Sequence, residues 1–472
     1  MLKGLEACEL NRSELENQFT IGSEYYKQEF VRIVDILNKS TYPIKELKDC
    51  TYLITDGDHG ATQYKDSGVL YLLSESVKEG YIDLNGGGIR YISNELHNSL
   101  KRSVLRTGNV VVTKTGAYYG KSAVIPKNII EANTSAHVAK IVVKDDVLNP
   151  YFLSTFLNSK YGYSQLRRRG IKVSRPEIKL IEFQDIKIPI PSMDFQEKIE
   201  QITLECQILL NKLSDEYEKA ESDLLKEISF KDYELSNRNI NVKNFKKSFF
   251  GSGRLDAEYY QPKYEGIEEI IKSYKNGFTY IGKEFEQVKN TSKKTEGYYN
   301  YIEIGDINIG NGFATYNRIA TEKLPANAKI EAKKGDILIS KVRPNRGAVT
   351  IIDFDVENLI VSSAFRVLRK KEEGNFTNKT LKVLLRSKVY KEWLLKFNVG
   401  TQYPVIRDED ILNLPIPKIT QIKQQEIANN IEQSQKVKEK TELLLDVAKQ
   451  AVEIAIEQDE PTAINFINSK IN

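Results

Sequence analysis

Three short stretches hold residue types that could do chemistry. The first is Thr115-Gly116-Ala117-Tyr118-Tyr119-Gly120-Lys121-Ser122, after the β-branched run Val110-Val111-Val112. It ends like a phosphate-binding loop, whose backbone N–H groups cradle a nucleotide. It fails that test twice. Gly116 stands one residue too close to Gly120-Lys121-Ser122, and Pro126 arrives before a helix could aim its N-terminus at a phosphate. The second is Glu177-Ile178-Lys179, a carboxylate and a lysine at nuclease-like spacing. No Pro-Asp pair precedes it, so it reads as a solvated helix start after Pro176. The third is His59 in Asp56-Gly57-Asp58-His59-Gly60. No Ser or Cys partner can be identified from spacing, and a turn histidine facing DNA or water accounts for it better. No glycine-rich dinucleotide loop follows a strand, and no Asn-Pro-Pro-aromatic or Asp-Pro-Pro-aromatic tetrapeptide occurs. Cys8, Cys50 and Cys206, like His59, His97 and His137, are scattered, giving neither a disulfide framework nor a metal ligand set. The chain is expected to be no enzyme and to hold no metal or cofactor of its own.

The same residues make better sense as a contact surface. The loop Lys114 to Lys121 has a second version, Lys341-Val342-Arg343-Pro344-Asn345-Arg346-Gly347. The Lys and Gly positions coincide while the residues between them differ, as expected of one frame presenting two readouts. Arginine and asparagine can pair with guanine and adenine edges, lysine serves phosphates, and Tyr118 and Tyr119 can stack or meet a thymine methyl. A second basic site, Arg167-Arg168-Arg169-Gly170-Ile171-Lys172, has Gly400-Thr401-Gln402-Tyr403 as its positional partner. The residues expected to contact nucleic acid are Lys114, Thr115, Tyr118, Tyr119, Lys121, Arg167, Arg168 and Lys172 in the first copy. In the second they are Lys341, Arg343, Asn345, Arg346, Thr401, Gln402 and Tyr403.

The elements that must position these residues are also written twice. Ile21-Gly22-Ser23-Glu24-Tyr25-Tyr26 returns as Leu255-Asp256-Ala257-Glu258-Tyr259-Tyr260, each followed by an amphipathic helical run. Gly108 to Lys114 returns as Gly335 to Lys341, and Ser135-Ala136 as Ser363-Ala364. Ile188-Pro189-Ile190-Pro191 returns as Leu414-Pro415-Ile416-Pro417, and Gln196-Glu197 as Gln425-Glu426. Matches in one order at nearly constant offset define an internal repeat. In each copy the double proline ends a globule and releases a long helix. Apolar residues run through Ile199, Ile202, Cys206, Leu209, Leu213, Tyr217, Ala220, Leu224 and Ile228. In the second helix the seam is Ile427, Ile431, Ser434, Val437, Thr441, Leu444, Ala448, Ala451 and Ala455. Steps of three and four predict that the two helices pair, antiparallel, as a coiled coil. A generic dimerisation coil is the plainer reading of the same seam.

Charge supports a polyanion partner once it is located. Net charge is only +4, but Asp194 to Glu227 carries −6 and Glu426 to Glu460 carries −5, leaving +15 for the rest. No apolar stretch approaches the roughly 18 residues a membrane span needs, and the first residues lack a signal-peptide apolar region. The expected location is the cytoplasm. The expected fold is α+β, with mixed α/β globules at 1–192 and 237–417, spacer helices at 193–236 and 418–458, and a C-terminal tail at 459–472.

The order globule, Ile-Pro-Ile-Pro, Gln-Glu, long helix, written twice, resembles the specificity subunits of Type I restriction–modification systems. So do Asn109-Val110-Val111-Val112-Thr113-Lys114-Thr115-Gly116 and Gly400-Thr401-Gln402-Tyr403-Pro404. Glu258-Tyr259-Tyr260 is also similar to subunits of Type IIB-like systems. The resemblance implies two target recognition domains, each reading half of a split site on double-stranded DNA in the service of phage defence. It implies helices that set the half-site spacing and dock two DNA adenine methyltransferase subunits, which bring S-adenosylmethionine, with a restriction endonuclease subunit where the system cleaves. A coiled-coil scaffold that never touches DNA is the competing reading.

Overall fold

The computed structural model describes residues 22–116, 119–170, 176–230, 233, 234, 236, 238, 240–292, 294–400 and 404–471. It divides into two compact units. The first comprises residues 1–211 and 437–472, and the second residues 212–436. The boundaries fall inside both long helices, so each unit takes a half of each.

In the first unit the order of one sheet is Thr51–Asp56, Val138–Val143, Val110–Thr113, Ser122–Val124, with all neighbours antiparallel. Val110, Val111 and Val112 are fully buried, because both faces of their strand are covered. Val110 and Val112 join the core beneath the helices, and Val111 joins the core shared with the other sheet. That is the period of two of a strand, expressed in a run that alternates cores rather than polarity. The other sheet orders Ile89–Ile92, Val69–Leu72, Glu131–Thr134, Leu105–Arg106, with its central pair parallel. The second unit has the same two orders: Phe285–Gln287, Phe365–Lys370, Ile337–Ser340, Val349–Ile351, and Asn317–Ala320, Tyr298–Ile302, Leu359–Ser362, Ala328–Glu331. Its strand Ile337–Ser340 divides its side chains the same way, Ile337 and Ile339 to one core and Leu338 to the other.

Two helices follow each pair of sheets. Asn149 caps Pro150–Asn158 by accepting from the Tyr151 and Phe152 amides, with Pro150 in the first turn, where its missing N–H costs nothing. Thr377 caps Asn378–Arg386 through the Thr380 amide. The next helices are Lys160–Gly170 and Lys388–Leu394. The double prolines do more than stop the globule. Lys187–Pro189 pairs antiparallel with Ile44–Glu46, and Pro415–Pro417 with Phe278–Tyr280. A two-stranded ribbon tolerates the missing donors, and it stitches the end of each globule to its beginning.

The long helices are Met193–Glu227 and Gln421–Glu457. The first stops where Ser229 turns to φ 62° and the Phe230 amide closes onto the Leu225 carbonyl, short of the 236 expected. In the first unit Phe195, Ile199, Ile202 and Cys206 share a core with Leu444, Val447, Ala448, Ala451 and Ala455. Ser192 binds Glu460, while Lys440 meets Glu205 at 2.6 Å, so the two segments run in opposite directions there. In the second unit Tyr217, Ala220, Leu224 and Ile228 share a core with Ile427 and Ile431. The seam's polar members are satisfied: Thr441 donates to the Val437 carbonyl and Ser434 to the Leu213 carbonyl. Residues 459–472, set aside above as a tail, contain a helix, Glu460–Ile471, that buries Ala463 and Ile467. Asp459 accepting from the Thr462 amide starts it, a cap signal the sequence carried in plain view.

Candidate nucleic-acid interface

Each unit pins its loop in the same way. In the first, the Lys114 amide donates to the His137 carbonyl, the Ile178 amide to the Lys114 carbonyl, and the Gly116 amide to the Pro176 carbonyl. In the second, Lys341 donates to Ala364, Ile406 to Lys341, and Arg343 to Pro404, each at 2.9 Å. The loop after the buried strand is thus tied to the segment that follows the second basic site. Two stretches about sixty residues apart meet in each unit. Val399 and Val405 exchange both hydrogen bonds around residues 400–404, and the Tyr119 hydroxyl donates to the Arg167 carbonyl at 3.1 Å.

Conformation distinguishes the copies. Gly116 has φ 90°, a region glycine enters freely. The matching position in the second unit is Arg343, at φ 48° and ψ 55°. A non-glycine residue held there costs on the order of 1–2 kcal/mol. Pro344–Arg346 then forms a single tight turn, ending at Gly347 with φ 75°. Asn345 and Arg346 are exposed on that turn and Arg343 is half-buried.

Burial corrects several expectations about which cations face solvent. Lys114 is buried, and its Nζ lies 2.6 Å from Asp56 Oδ2. Its charge is spent inside the unit and is no phosphate hook. Arg168 is also buried, its guanidinium 4.6 Å from the centre of the Tyr25 ring. Arg169 turns inward to the Gln165 and Asp185 carbonyls. Of the three arginines only Arg167 is exposed, because helix Lys160–Gly170 packs one face against the core and consecutive residues cannot share the other. Tyr119 is buried beneath Gly170, where a Cβ would stand 2.3 Å from the ring. Thr115 faces His137, with Oγ1 2.9 Å from Nδ1. Lys121 lies 3.8 Å from Glu79. Lys341 lies 3.4 Å from Asp408, which also pairs with the buried Arg366. Tyr118, Lys172, Thr401, Gln402 and Tyr403 lie outside the described residues, as do Cys8 and Ile21.

A group the sequence could not assemble sits beside the first loop. Asp56, almost wholly buried, binds Lys114, His59 Nε2 at 3.1 Å and Arg102 at 3.2 Å. His59 and Arg102 are thereby held at the surface, and His137, which meets Thr115, is exposed as well. Burial alone would raise the Asp56 carboxyl, but the hydrogen bonds from Lys114 and His59 outweigh it and hold it below its ordinary value. The second unit meets the same need from a different element. Its acid, Asp408, comes from helix Asp408–Leu412 rather than from a strand of the sheet. Burial lowers the Arg366 guanidinium to about 10, and burial followed by the Arg366 charge lowers Lys341. Among the described residues no cluster of His, Cys, Asp and Glu could hold a metal ion, and no helix is long and apolar enough to cross a membrane.

Comparison with known proteins agrees with this organisation. The Type I restriction modification DNA specificity domain matches residues 75–206 and 266–444, each match running from a globule into a long helix. The chain therefore belongs to the Type I restriction–modification DNA specificity family, the subunits through which such systems recognise DNA sequence. It is 24% identical over 325 residues to the Type I restriction enzyme MjaVIII specificity subunit of Methanocaldococcus jannaschii, covering 67% of this chain and 70% of that one. Over 123 residues it is 29% identical to the Escherichia coli EcoBI specificity subunit, covering 26% of this chain and 25% of that one. Among solved structures it is similar to the HsdS subunit from Thermoanaerobacter tengcongensis, at 15% identity and a TM-score of 0.30 over 89% of this chain and 97% of that one. It is also similar to the S subunit of a Type I system from M. genitalium, at 11% identity and a TM-score of 0.40 over 89% of this chain and 96% of that one.

Proposed function

We propose that the chain is a non-catalytic reader of a two-part DNA site, each unit contacting one half through its pinned loop and the segment tied to it. The paired long helices act as a coiled-coil spacer between the two readers and as the docking surface for two adenine methyltransferase subunits. Those subunits carry S-adenosylmethionine, and an endonuclease subunit joins where the system cleaves. The observation that carries this reading is the loop pair: one backbone frame, pinned by equivalent hydrogen bonds, with Gly116 in one copy and a strained Arg343 in the other. A residue held in a disfavoured conformation at an exposed turn points to a job done by its side chain. Arg343, Asn345 and Arg346 then supply base-edge contacts in the second unit. Thr115, His137, His59 and Arg102 supply the surface of the first, with Arg167 on the phosphates.

Salt separates this from a scaffold role. Each phosphate contact contributes a slope of about −0.9 to a plot of log affinity against log salt. A gel shift of the purified complex is expected to show affinity falling at least tenfold between about 50 and 200 mM salt. Absence of binding to any duplex at low salt would leave the scaffold reading standing.

A further inference from the structure

One buried guanidinium ties the second unit's loop to the long helix. Arg386 is the last residue of helix Asn378–Arg386 and is 5% exposed. Its Nη1 donates to the Gly347 carbonyl, the end of the tight turn, at 2.7 Å. Its Nη2 donates to the Ile309 and Gly310 carbonyls at 3.0 and 2.8 Å. Its Nε donates to the Tyr217 hydroxyl at 2.7 Å, and its Cζ lies 5.0 Å from the centre of the Tyr217 ring. Tyr217 sits on the long helix Met193–Glu227, within the part that belongs to this unit. A planar fork with fixed donor directions leaves little play among the groups it joins. The pocket is shaped around it: a Cβ on Gly312 would stand 2.7 Å from Nε.

The first unit holds the matching place differently. Asn158, the last residue of helix Pro150–Asn158, clamps the strand after the loop by accepting from the Ser122 amide and donating to its carbonyl. It does not reach a long helix. The link to one runs outside, from Lys121 to Glu79 at 3.8 Å and from Glu79 to Lys449 at 3.3 Å. Among the described residues, a buried guanidinium with fixed donor directions bonds the second loop to a long helix, whereas in the first unit the charged link runs through partly exposed side chains.

We propose that Arg386 is a positioning residue for sequence recognition. It sets the frame of Arg343 to Gly347 from the long helix through Tyr217, so discrimination at the second half-site depends on a residue that does not touch DNA. The proposal rests on the reading of the loop as a DNA contact.

The test is binding of the assembled complex to its target duplex and to duplexes with single base changes in each half. Three variants are compared, Tyr217→Phe, Arg386→Lys and Arg386→Gln. Loss of one hydrogen bond to a charged donor corresponds to roughly tenfold. Tyr217→Phe, which keeps the ring and loses the acceptor, is expected to reduce discrimination in the second half-site about fivefold to tenfold. Arg386→Gln is expected to lose more, and Arg386→Lys to recover part of it. Discrimination in the first half-site should stay as in the natural protein. Unchanged discrimination in folded Tyr217→Phe and Arg386→Lys proteins would overturn the proposal, as would equal losses in both halves. A natural protein that does not distinguish target from altered duplex at either half would instead sink the DNA reading beneath it. Should Arg386→Gln fail to fold, Tyr217→Phe decides the matter alone.

Discussion

Asp56→Ala is expected to cost the first unit about 3–5 kcal/mol, the largest single effect on stability anticipated in the chain. The reason is what it leaves behind. Lys114 Nζ is buried 2.6 Å from the missing carboxylate, with the side chain 5% exposed. A buried ammonium stripped of its counter-charge keeps the cost of leaving water and loses the attraction that offset it. Thermal unfolding of a domain this size should shift by on the order of 10 °C. The double variant Asp56→Leu with Lys114→Met should regain most of the loss, because removing both charges leaves no orphan. Equal melting of the natural protein and Asp56→Ala would contradict this assignment. The same pair sets a pH dependence. The folded carboxyl lies below its ordinary value of 3.8. Its contribution is therefore fully present above pH about 4 and is lost as the pH falls from there through the lower, folded value.

Arg343→Gly should move stability and function in opposite directions. Glycine relieves a left-handed backbone that arginine adopts at φ 48°, so the second unit should gain about 1 kcal/mol. The same change removes a guanidinium that can pair with a base edge. A bidentate contact of that kind is worth about 1–3 kcal/mol, so binding should fall between roughly fivefold and 150-fold. The fall should be confined to duplexes carrying the preferred base at one position, leaving the others nearly equal. Denaturant unfolding and competition binding on the same preparations measure both. A variant that is less stable and binds as before would show that the strain serves the fold and not the reading.

What was legible in the sequence was whatever repeats locally. The seam Ile427 to Ala455 is buried at every position named, because a helical period projects directly onto a face. Val110 to Val112 and Ile337 to Ile339 were legible as strands because each is a short β-branched or apolar run bounded by turn residues. The loops could be aligned because glycine marks backbone geometry, as Gly120 and Gly347 do with φ near 80° in both copies. Burial of individual charges was not legible. Asp56 and Lys114 are 58 residues apart, and nothing about either residue type announces the partner. Arg167, Arg168 and Arg169 look alike in a row, yet a helix turns consecutive residues by about 100° and sends two of them inward. The sheet orders depend on pairings such as Tyr71 with Asn133, set by tertiary packing rather than by either strand alone. The two acids that neutralise the loop lysines, Asp56 and Asp408, come from unrelated elements, so aligning the copies could not reveal one from the other.

The central claim is that each globule reads its own half of the target. Replacing residues 237–417 with the equivalent segment of a relative of different specificity, and mapping methylated sites in cells that carry the whole system, tests it most directly. The account predicts that one half of the recognised site changes while the other half and the spacing between them remain. A map in which both halves change, or neither does, would contradict it.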